Sequence, residues 1–576
     1  MLALLGYPFL LEPLTGTRHQ TWIWAGGYAL FIALTASCGF LVRAFASDLR
    51  PGAAPAAELR DAVSARTRLQ WVILSFIPSS LMLGVTTHIS TDVAAVPLLW
   101  VLPLAMYLGT FVLAFAQREV ISHRWLIRLV PPLILGCLLT ILFNGRVWWL
   151  IPLHLVTFFA VAMVCHRELA NRRPSVSHLT EFYIWMSFGG MLGGVFNTLL
   201  APQLFSRVLE YPLVLAGAAL IRPSPAFRDS RPEPLSLLVG VPAFVLLLCL
   251  GTWAAGLTST GMGLRPLLLA FALMVAAASM FVNRAGAFGL MALLFVGVIA
   301  FGRPEGAGRV LLAARSFFGV HRVIDAADQS FHLLQHGSTT HGRQEWPTGT
   351  RCEPTGYYHR SNPIGQLFGA ADGRFKRVAG IGLGAGGLAC YAGPGDRWTY
   401  YEIDPVVERI ARDPRYFTYL QNTQGQVDVV LGDGRLTLRR AAPGAYDLIM
   451  LDAFSSDAIP VHLLTREAVE LYLSRLQPSG IVAVHISNRY LNLEPVLAAL
   501  AQQEGLFALA NVDDRIPAAD TRIGRFPSHW VLLARNPEAL ALLAGRPGWR
   551  PPAFREGVRP WTDDYSNIIR VLSRRH

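Results

Sequence analysis

Residues 377–404 read RVAGIGLGAGGLACYAGPGDRWTYYEID and carry the strongest indication of a fold in this sequence. A short apolar strand candidate runs into a cluster of glycines, and a second strand candidate that contains Glu402 follows. Glycines allow the backbone to approach a ligand closely, and the N-terminus of a following helix favours negative charge. A carboxylate about 20 residues after the glycines can accept hydrogen bonds from both ribose hydroxyls. The stretch therefore predicts a nucleoside-binding α/β domain, and alone it fits a nicotinamide cofactor equally well.

Strand and helix candidates alternate outward from this stretch. The predicted strands are Arg377–Ile381, Trp398–Ile403, Val427–Leu431, Tyr446–Leu451 and Gly480–Ile486, with helices near 387–392, 406–412, 436–441 and 465–476 between them. Such alternation is typical of a parallel, doubly wound sheet. Upstream, Gly319–Ile324 and Ser330–Gln335 flank a polar turn, which predicts a β-hairpin.

Acidic residues follow the third and fourth predicted strands. LGDG at 431–434 places Asp433 after one strand, and LDAF at 451–454 places Asp452 after the next. The carboxyl ends of parallel strands meet at one edge of a sheet, where open α/β sheets bind their ligands. Asp433 is positioned to bind an adenine amino group, and Asp452 to lie near a reacting sulfonium. Such a pocket suits a sulfonium donor and an amine nucleophile, whereas it would repel a pyrophosphate.

Taken in order, GLGAGG, YYEID, LGDG, LDAFSSDAIP and LLTRE (463–467) resemble the spermidine synthase (polyamine aminopropyltransferase) family, and most closely its membrane-fused branch. The resemblance covers about Phe317–Leu572, and the membrane half is similar to that branch at 91–97 and 180–190. A small β-rich segment, here 317–344, precedes the main domain in this family. Tyr357-Tyr358-His359 is similar to the family's tyrosine-containing gate to the polyamine pocket.

The resemblance implies a Rossmann-like domain of the class I S-adenosylmethionine-dependent transferases, with no tightly bound cofactor and no metal. The co-substrate would be decarboxylated S-adenosylmethionine (or S-adenosylmethionine), and the acceptor a small amine or polyamine. Asp452 would be the catalytic base and Asp457 would help to hold the amine. The implied donor-binding residues are Gly382, Gly384, Gly386, Glu402, Asp404, Asp433 and Gly434, and the acceptor-side residues are Tyr358, His341 and Gln344.

Three departures from the family pattern keep other functions open. Ala385 stands where the family's glycine loop usually carries an Asp that binds the aminopropyl amine, Arg360 replaces an acidic residue after the gate, and the Asp452–Asp457 loop is lengthened. Arg360 could pair with the carboxylate of ordinary S-adenosylmethionine. The alternatives are therefore a methyl or aminocarboxypropyl transferase that uses S-adenosylmethionine, or a non-enzymatic transporter or sensor of nucleosides or polyamines.

The first 303 residues have the apolar composition and the long apolar runs that are typical of a membrane domain. Hydrophobic residues make up 53% of the whole chain and charged residues 15%, against a usual charged share of about 25%. We expect three parts: a polytopic transmembrane domain of about 8–10 helical segments at 1–303, a β-rich segment at 304–363 and the Rossmann-like domain at 364–576. Apolar runs lie at Trp22–Phe45, Leu69–Ser90, Val93–Ala116, Trp125–Phe143, Val147–Cys165, Phe182–Phe205, Leu235–Gly256, Leu267–Val282 and Ala285–Phe301.

Arginines cluster in alternate loops of this half and predict its orientation. The loops near 43–68, 118–128 and 167–173 are basic and are expected to be cytoplasmic by the positive-inside rule. Because S-adenosylmethionine chemistry needs a cytoplasmic donor, we expect Val208–Ile221 not to cross, which brings the catalytic domain back to the cytoplasm. The sequence then predicts a multi-pass protein of the inner or plasma membrane. Much of its net charge of +12 is expected in cytoplasmic loops, and we predict no nucleic-acid partner.

Polar residues inside the apolar runs give further candidates. His88 and Asp92 are four residues apart, hence on one helix face, and are the predicted membrane site. The glycine-rich stretch 189–194 predicts close helix packing.

The six cysteines have no metal or disulfide spacing and are expected to be free thiols. A homo-oligomer is possible on this sequence.

Overall fold

The computed structural model describes residues 4, 6–45, 63–93, 98–142, 150–223, 281, 284–301, 308–337, 339–349, 351–454, 460–517, 520 and 524–573. Up to residue 301 these residues are helical, and from 308 onward they form two sheets with flanking helices. We refer to these parts as the helical bundle and the α/β domain.

The helical bundle consists mainly of apolar helices. They are α1 (Thr17–Phe45), α2 (Ala65–Thr87), α3 (Val101–Ala114), α4 (His123–Leu142), α5 (Ile151–Asn171), α6 (Leu179–Val195), α7 (Glu210–Ile221) and α8 (Ala285–Phe301). In the described part, five helical stretches are long and apolar enough to cross a membrane by length and composition: Thr17–Ala44, Ala65–Thr91, His123–Leu142, Ile151–Asn171 and Val176–Leu204. The expected runs Leu235–Gly256 and, except for Phe281, Leu267–Val282 lie outside the described residues.

Small residues on α6 allow it to pack closely against α2. A Cβ atom on Gly189 would collide with the Ser75 hydroxyl and the Val72 carbonyl, and one on Gly193 would lie 2.7 Å from the Phe76 carbonyl. Gly190, by contrast, has open space around its Cα. The predicted small-residue packing face is thus confirmed, because the face that meets α2 has no room for a side chain.

The bundle has two distinct ends. At the far end, Arg68 of α2 pairs with Glu181 of α6 at 2.6 Å, and the helix ends of α4 and α5 meet through His123 and Glu168 at 3.0 Å. At the near end, the bundle contacts the α/β domain. Helix α7 begins at the near end, and the guanidinium of Arg222, just after it, donates to the Ile127 carbonyl near the start of α4. That Val208–Ile221 does not cross a bilayer stays a prediction.

A buried ion pair joins the near end to the α/β domain. The guanidinium of Arg315 donates to both carboxylate oxygens of Glu210, at 2.7 and 3.0 Å, and also to the Arg207 carbonyl. The two side chains are only 9% and 2% exposed. An ion pair withdrawn from water in this way depends on both partners, because either charge left alone would be buried without compensation.

We expect the change Arg315→Met to lower the free energy of unfolding by about 3–5 kcal/mol, because it leaves the buried Glu210 carboxylate unpaired. Thermal unfolding of the detergent-solubilised protein measures this loss. The double change Glu210→Leu with Arg315→Met should recover most of it, since two apolar groups replace the pair. Equal stability of the wild type and the single variant would contradict the assignment of a buried, interdependent pair.

The α/β domain opens with a small antiparallel sheet. Its strands are β1 (Arg309–Ser316), β2 (Gly319–Asp325), β3 (Phe331–His336) and β4 (Thr339–Glu345), in that spatial order. Strands β2 and β3 pair antiparallel, which confirms the predicted hairpin. The flanking strands β1 and β4 were not predicted.

The main sheet has seven strands. They are β5 (Arg377–Ile381), β6 (Arg397–Glu402), β7 (Gln426–Leu431), β8 (Tyr446–Leu451), β9 (Leu476–His485), β10 (Phe507–Asp513) and β11 (Ser528–Ala534), in the order β10-β11-β9-β8-β5-β6-β7. Strands β5–β9 are parallel, as expected. The sheet is nevertheless mixed, because β11 pairs antiparallel with both β9 and β10.

Helices cover both faces of the main sheet. They are α9 (Pro363–Ala371), α10 (Pro405–Arg412), α11 (Gly434–Leu438), α12 (Arg466–Arg475) and α13 (Glu494–Gln503), with a short turn of helix at Tyr419–Asn422 and a 3-10 turn at Gly387–Tyr391. Buried apolar residues form one core on each face of the sheet. Strand order reverses between β5 and β8, which leaves a crevice at their carboxyl ends, where sheets of this kind bind ligands.

One disulfide was not expected from the sequence. Cys352 and Cys390, which we predicted as free thiols, form a disulfide 38 residues apart in sequence. Cys352 lies in the loop after β4, and Cys390 lies in the 3-10 turn that follows the glycines. The correction arises because this loop folds back over the glycine loop, a contact that residue spacing alone does not reveal. Cys38, Cys137 and Cys165 are free.

Candidate active site

A cavity of about 630 Å³ occupies the crevice at the carboxyl edge of the main sheet. Its walls come from the glycine loop, the ends of β6–β9 and the small sheet. The predicted residues among its lining are His341, Tyr358, Gly382, Gly384, Glu402, Asp404, Asp433, Gly434 and Asp452. Most of the predicted site residues are therefore brought together around one space large enough for a nucleoside.

The glycines after β5 are required by both backbone angle and space. Gly382, Gly384 and Gly386 have φ values of 95°, 55° and 88°, in the left-handed region that favours glycine. A Cβ on Gly382 would collide with the Asp452 carbonyl, and one on Gly384 would lie 2.7 Å from the His341 carbonyl. The glycines thus let the loop lie directly against the segments that carry Asp452 and His341.

Glu402 ends β6 and turns its carboxylate toward the glycine loop. One oxygen accepts a hydrogen bond from the Leu383 amide and the other from the Asp404 amide, each at 2.9 Å. The side chain is 7% exposed, and this burial raises its pKa above the ordinary glutamate value. Each oxygen keeps acceptor capacity for a ligand in the cavity. This geometry would allow the Glu402 carboxylate to bind the glycine loop and the two hydroxyls of a ribose at the same time.

Asp433 and Asp404 both cap the helix that follows them. Asp433 accepts from the Leu436 amide at 2.8 Å, and its second oxygen lies 3.1 Å from Nε2 of His462. Asp404 accepts from the Val406 amide at 2.8 Å, and its second oxygen lies 2.8 Å from Nε2 of His321. Helix capping therefore accounts for part of each residue's role.

Hydrogen bonding keeps Asp404 ionised despite its burial. Burial alone would raise its pKa, but hydrogen bonds from His321, the Ser316 hydroxyl and the Val406 amide bring the pKa below the ordinary aspartate value. Both oxygens are already engaged by protein groups. Asp404 consequently orients His321 at the wall of the cavity and accepts from the Ser316 hydroxyl, while a direct bond to a ligand stays a prediction.

Asp452 lies just beyond the end of β8 and is 8% exposed. One carboxylate oxygen lies 2.6 Å from Nδ1 of His485, and the other accepts a hydrogen bond from the Tyr358 hydroxyl. Burial alone would raise the pKa of Asp452, but the His485 ring and the two hydrogen bonds lower it below its ordinary value. Burial and the adjacent carboxylate raise the pKa of Tyr358 well above that of a free phenol. The pair therefore consists of a carboxylate and a neutral phenol donor.

His485 is a site residue that we did not predict. It ends β9, its ring stacks on Trp530 with centroids 4.6 Å apart, and its Nε2 atom lies 2.7 Å from the Ser487 hydroxyl. With both ring nitrogens engaged, the ring is fixed beside Asp452. The sequence did contain an indication of its role. His485 lies near the carboxyl end of the predicted strand Gly480–Ile486, just as Asp433 and Asp452 lie at the carboxyl ends of the two preceding predicted strands.

Histidines line the side of the cavity formed by the small sheet. The ring centroids of His321 and His336 are 4.7 Å apart, and those of His336 and His341 are 5.7 Å apart. Burial lowers the pKa of His341 to about 4, so this ring is neutral at physiological pH. Its Nε2 atom has no hydrogen-bond partner among the described residues. The wall thus offers an unsatisfied polar atom to a ligand.

Ala385 lies between the glycine loop and the wall of the cavity that the small sheet forms. A longer side chain at this position would reach that wall. Its methyl group is 1% exposed and faces Gly342 of β4, where any added Cβ would collide with it. The glycine loop and the small sheet are therefore in close contact here, without a carboxylate between them.

Other predicted residues lie elsewhere. The Gln344 side chain is bonded to the amide and hydroxyl of Thr418 and is outside the cavity lining. Arg360 pairs with Glu353 at 2.7 Å on the surface, outside the same lining. Asp457 lies outside the described residues, as does the Asp92 side chain. Within the described ranges no group of three or more potential ligands could hold a metal ion.

His88 belongs to a polar cluster inside the bundle. Its ring centroid lies 4.7 Å from that of His154 and 5.4 Å from that of Tyr211. Nδ1 of His154 lies 2.9 Å from the Tyr211 hydroxyl, and its Nε2 lies 3.2 Å from the Thr140 hydroxyl. The polar groups therefore satisfy one another, which agrees with a structural role as well as with a membrane site.

Residues 562–565 connect the site to α1. The carboxylate of Asp563 pairs with the Arg435 guanidinium through two bonds of 2.7 Å, next to Gly434. Asp564 accepts from the Thr17 hydroxyl at 2.6 Å and from the Arg18 amide at 2.7 Å. Adjacent carboxylates thus hold the start of α1 and a wall of the cavity.

Comparisons with known proteins cover parts of the chain. No family model matches it. It is 35% identical over 133 residues to a polyamine aminopropyltransferase from Vibrio vulnificus (strain CMCP6), over 22% of this chain and 42% of that protein. It is 29% identical over 108 residues to putrescine N-methyltransferase 3 from Nicotiana tabacum, over 18% of this chain and 28% of that protein. The chain therefore spans less than half the length of either relative.

Solved structures similar to this chain include two spermidine synthases. A probable spermidine synthase from Corynebacterium glutamicum ATCC 13032 matches with 18% identity and a TM-score of 0.33, over 45% of this chain and 97% of that chain. The spermidine synthase from Thermotoga maritima matches with 13% identity and a TM-score of 0.30, over 43% of this chain and 81% of that chain.

Proposed function

We propose that the α/β domain, which is spermidine synthase-like, transfers an aminopropyl group from decarboxylated S-adenosylmethionine to an amine and releases methylthioadenosine. The observation that carries the proposal is Asp452, an ionised carboxylate held by His485 and Tyr358 at the wall of a nucleoside-sized cavity. The chain would perform this reaction as an integral membrane protein, with the sulfonium compound as a co-substrate.

In this mechanism, an amine nitrogen attacks the carbon attached to the sulfonium sulfur. The new C–N bond forms as the C–S bond breaks, and its electron pair goes to sulfur, which leaves as a neutral thioether. The proton lost by the amine passes to Asp452, for which a general base near the nucleophile is sufficient. His485 and Tyr358 position this carboxylate and stabilise its charge before the proton arrives.

Binding of the donor would rest on the other strand ends. Glu402 would accept both ribose hydroxyls, Asp433 with His462 would contact the adenine edge, and the glycine loop would pack against the sugar. Asp457 would complete the acceptor site from the loop that precedes Pro460. The neutral His341 would accept a hydrogen bond from an ammonium group or donate one to a carboxylate.

One assay tests the proposal directly. The purified protein is incubated with each sulfonium donor and with putrescine or spermidine, and the products are separated by mass. We expect methylthioadenosine together with an elongated polyamine, formed from the decarboxylated donor. Preserved nucleoside binding without turnover for any donor would refute the transferase proposal and favour a sensing or transporting role.

A second candidate is transfer from ordinary S-adenosylmethionine. Ala385, packed against Gly342, favours it, because no carboxylate is available there to bind the donor's amine and repel a donor carboxylate. The similarity to a putrescine N-methyltransferase points to the same donor. Adenosylhomocysteine as the product would identify methyl transfer, and methylthioadenosine formed from the undecarboxylated donor would identify aminocarboxypropyl transfer.

A further inference from the structure

Arginines are unevenly divided between the two ends of the helical bundle. Contacts between helix ends define the far end of the bundle. The starts of α2, α4 and α6 meet the ends of α5 and α7 there. The arginines in or beside these helix ends are Arg66, Arg68, Arg118, Arg124, Arg128, Arg167, Arg172, Arg173 and Arg222. By contrast, Arg207 is the arginine beside the start of α7 among the described residues at the near end of the bundle.

The α/β domain contacts the helical part of the chain at two separate places. Asp564 caps the start of α1 through Thr17 and the Arg18 amide. Arg315 of β1 pairs with Glu210 at the start of α7. The Arg315–Glu210 pair places the domain away from the arginine-rich end, because Arg222, just after the other end of α7, contacts that end.

Short loops rich in arginine stay on the cytoplasmic side of a membrane. From this rule and the contacts above, we infer that the α/β domain, with its cavity, faces the extracytoplasmic side. The position of α7 agrees, because α7 begins beside the α/β domain at Glu210 and the residue after its end, Arg222, contacts the arginine-rich end of the bundle. The inference goes beyond the proposed reaction and holds whichever group the domain transfers.

The disulfide between Cys352 and Cys390 is an independent observation that also indicates an extracytoplasmic domain. Disulfides form and persist in extracytoplasmic compartments and are rare in the reducing cytosol. This one lies beside the glycine loop, in the part of the domain that borders the cavity. A domain in the cytoplasm would be expected to keep these thiols reduced.

This orientation replaces the expected cytoplasmic one, which rested only on where the sulfonium donor is made. It has a chemical consequence for the proposed function. A charged nucleoside does not cross a bilayer unaided, so a transport step must deliver the donor to the cavity, or the donor must be present outside the cytoplasm.

Site-specific labelling tests the inference in the full chain. Gln502 on α13 and Ser175 beyond α5 are exposed, and each is replaced by Cys in a chain that also carries Cys38→Ala. Spheroplasts are treated with a membrane-impermeant maleimide, before or after permeabilisation. We expect Gln502→Cys to react in intact spheroplasts and Ser175→Cys to react only after permeabilisation. The reverse pattern would overturn the inference.

The native cysteines give a second measurement that needs no variant. Thiols are alkylated during rapid lysis, and the alkylation of Cys352 and Cys390 is measured by mass spectrometry in hosts with and without an extracytoplasmic thiol oxidase. We expect an oxidised pair in the first host and a larger reduced fraction in the second. A pair that is fully reduced in both hosts would contradict an extracytoplasmic domain.

Discussion

The change Asp452→Asn should reduce turnover about 10²–10⁴-fold, because the amide cannot accept the proton of the attacking amine. The side chain keeps its size, so His485 and Tyr358 still have a polar partner and the cavity keeps its shape. Affinity for methylthioadenosine should therefore change by only a few-fold. Steady-state rates together with equilibrium binding of methylthioadenosine measure the two effects separately.

Asp428 provides a matched control for this variant. It lies on β7 of the same sheet, but its side chain is exposed. Asp428→Asn should leave both turnover and binding within about twofold of the wild type, as is usual for surface substitutions. If Asp452→Asn retained the wild-type rate, the carboxylate would not be the base. If Asp452→Asn lost nucleoside binding and turnover together, a structural role of Asp452 would be sufficient to explain both losses, and the assignment of the base would not stand.

The change Glu402→Gln should weaken donor binding by about two orders of magnitude. Hydrogen bonds to a charged group are each worth about 1.5–3 kcal/mol, and each 1.4 kcal/mol corresponds to about tenfold in affinity. The new amide would also point a donor at the Leu383 or Asp404 amide, each of which now donates to the carboxylate. Calorimetric titration with methylthioadenosine measures the loss.

A surface glutamate on the neighbouring helix serves as the control. Glu408 of α10 pairs with Arg412 one turn later, so Glu408→Gln should leave affinity unchanged. The pH dependence gives a further check. Burial raises the pKa of Glu402, and its protonated form loses acceptor capacity, so affinity should begin to fall at a higher pH than for an ordinary glutamate. Affinity that is equal in Glu402→Gln and the wild type would exclude the ribose contact.

The parallel part of the main sheet was well predicted from sequence. Strands β5 and β8 have the predicted bounds, because short apolar segments followed by glycine or acidic residues mark both their length and their ends. Strands β10 and β11 were missed. Their hydrophobic pattern resembles that of the other strands, and only the tertiary pairing of β11 with β9 makes them antiparallel.

Site residues were predictable where they are acidic and lie at the carboxyl end of a predicted strand. His485 occupies an equivalent position but was missed, because a single histidine carries no charge pattern of its own. The partners of Asp563 and Asp564 could not be found, since Thr17 lies 547 residues away from Asp564. The disulfide was missed for the same reason, and the inferred orientation of the domain likewise rests on contacts that the sequence does not reveal. Both depend on which surfaces meet in three dimensions.

The contacts of Asp564 and Asp563 give α1 an influence on the cavity. With 29 residues, α1 is longer than the roughly 20 residues that a hydrocarbon core requires, so in the proposed integral membrane protein we expect it to tilt. A thinner bilayer increases that tilt, and the anchored start of α1 would transmit it through this loop to Arg435 beside the cavity. Nucleoside affinity in nanodiscs should therefore depend on acyl-chain length, and Asp564→Ala should abolish that dependence. The protein would then respond to the thickness of its own membrane.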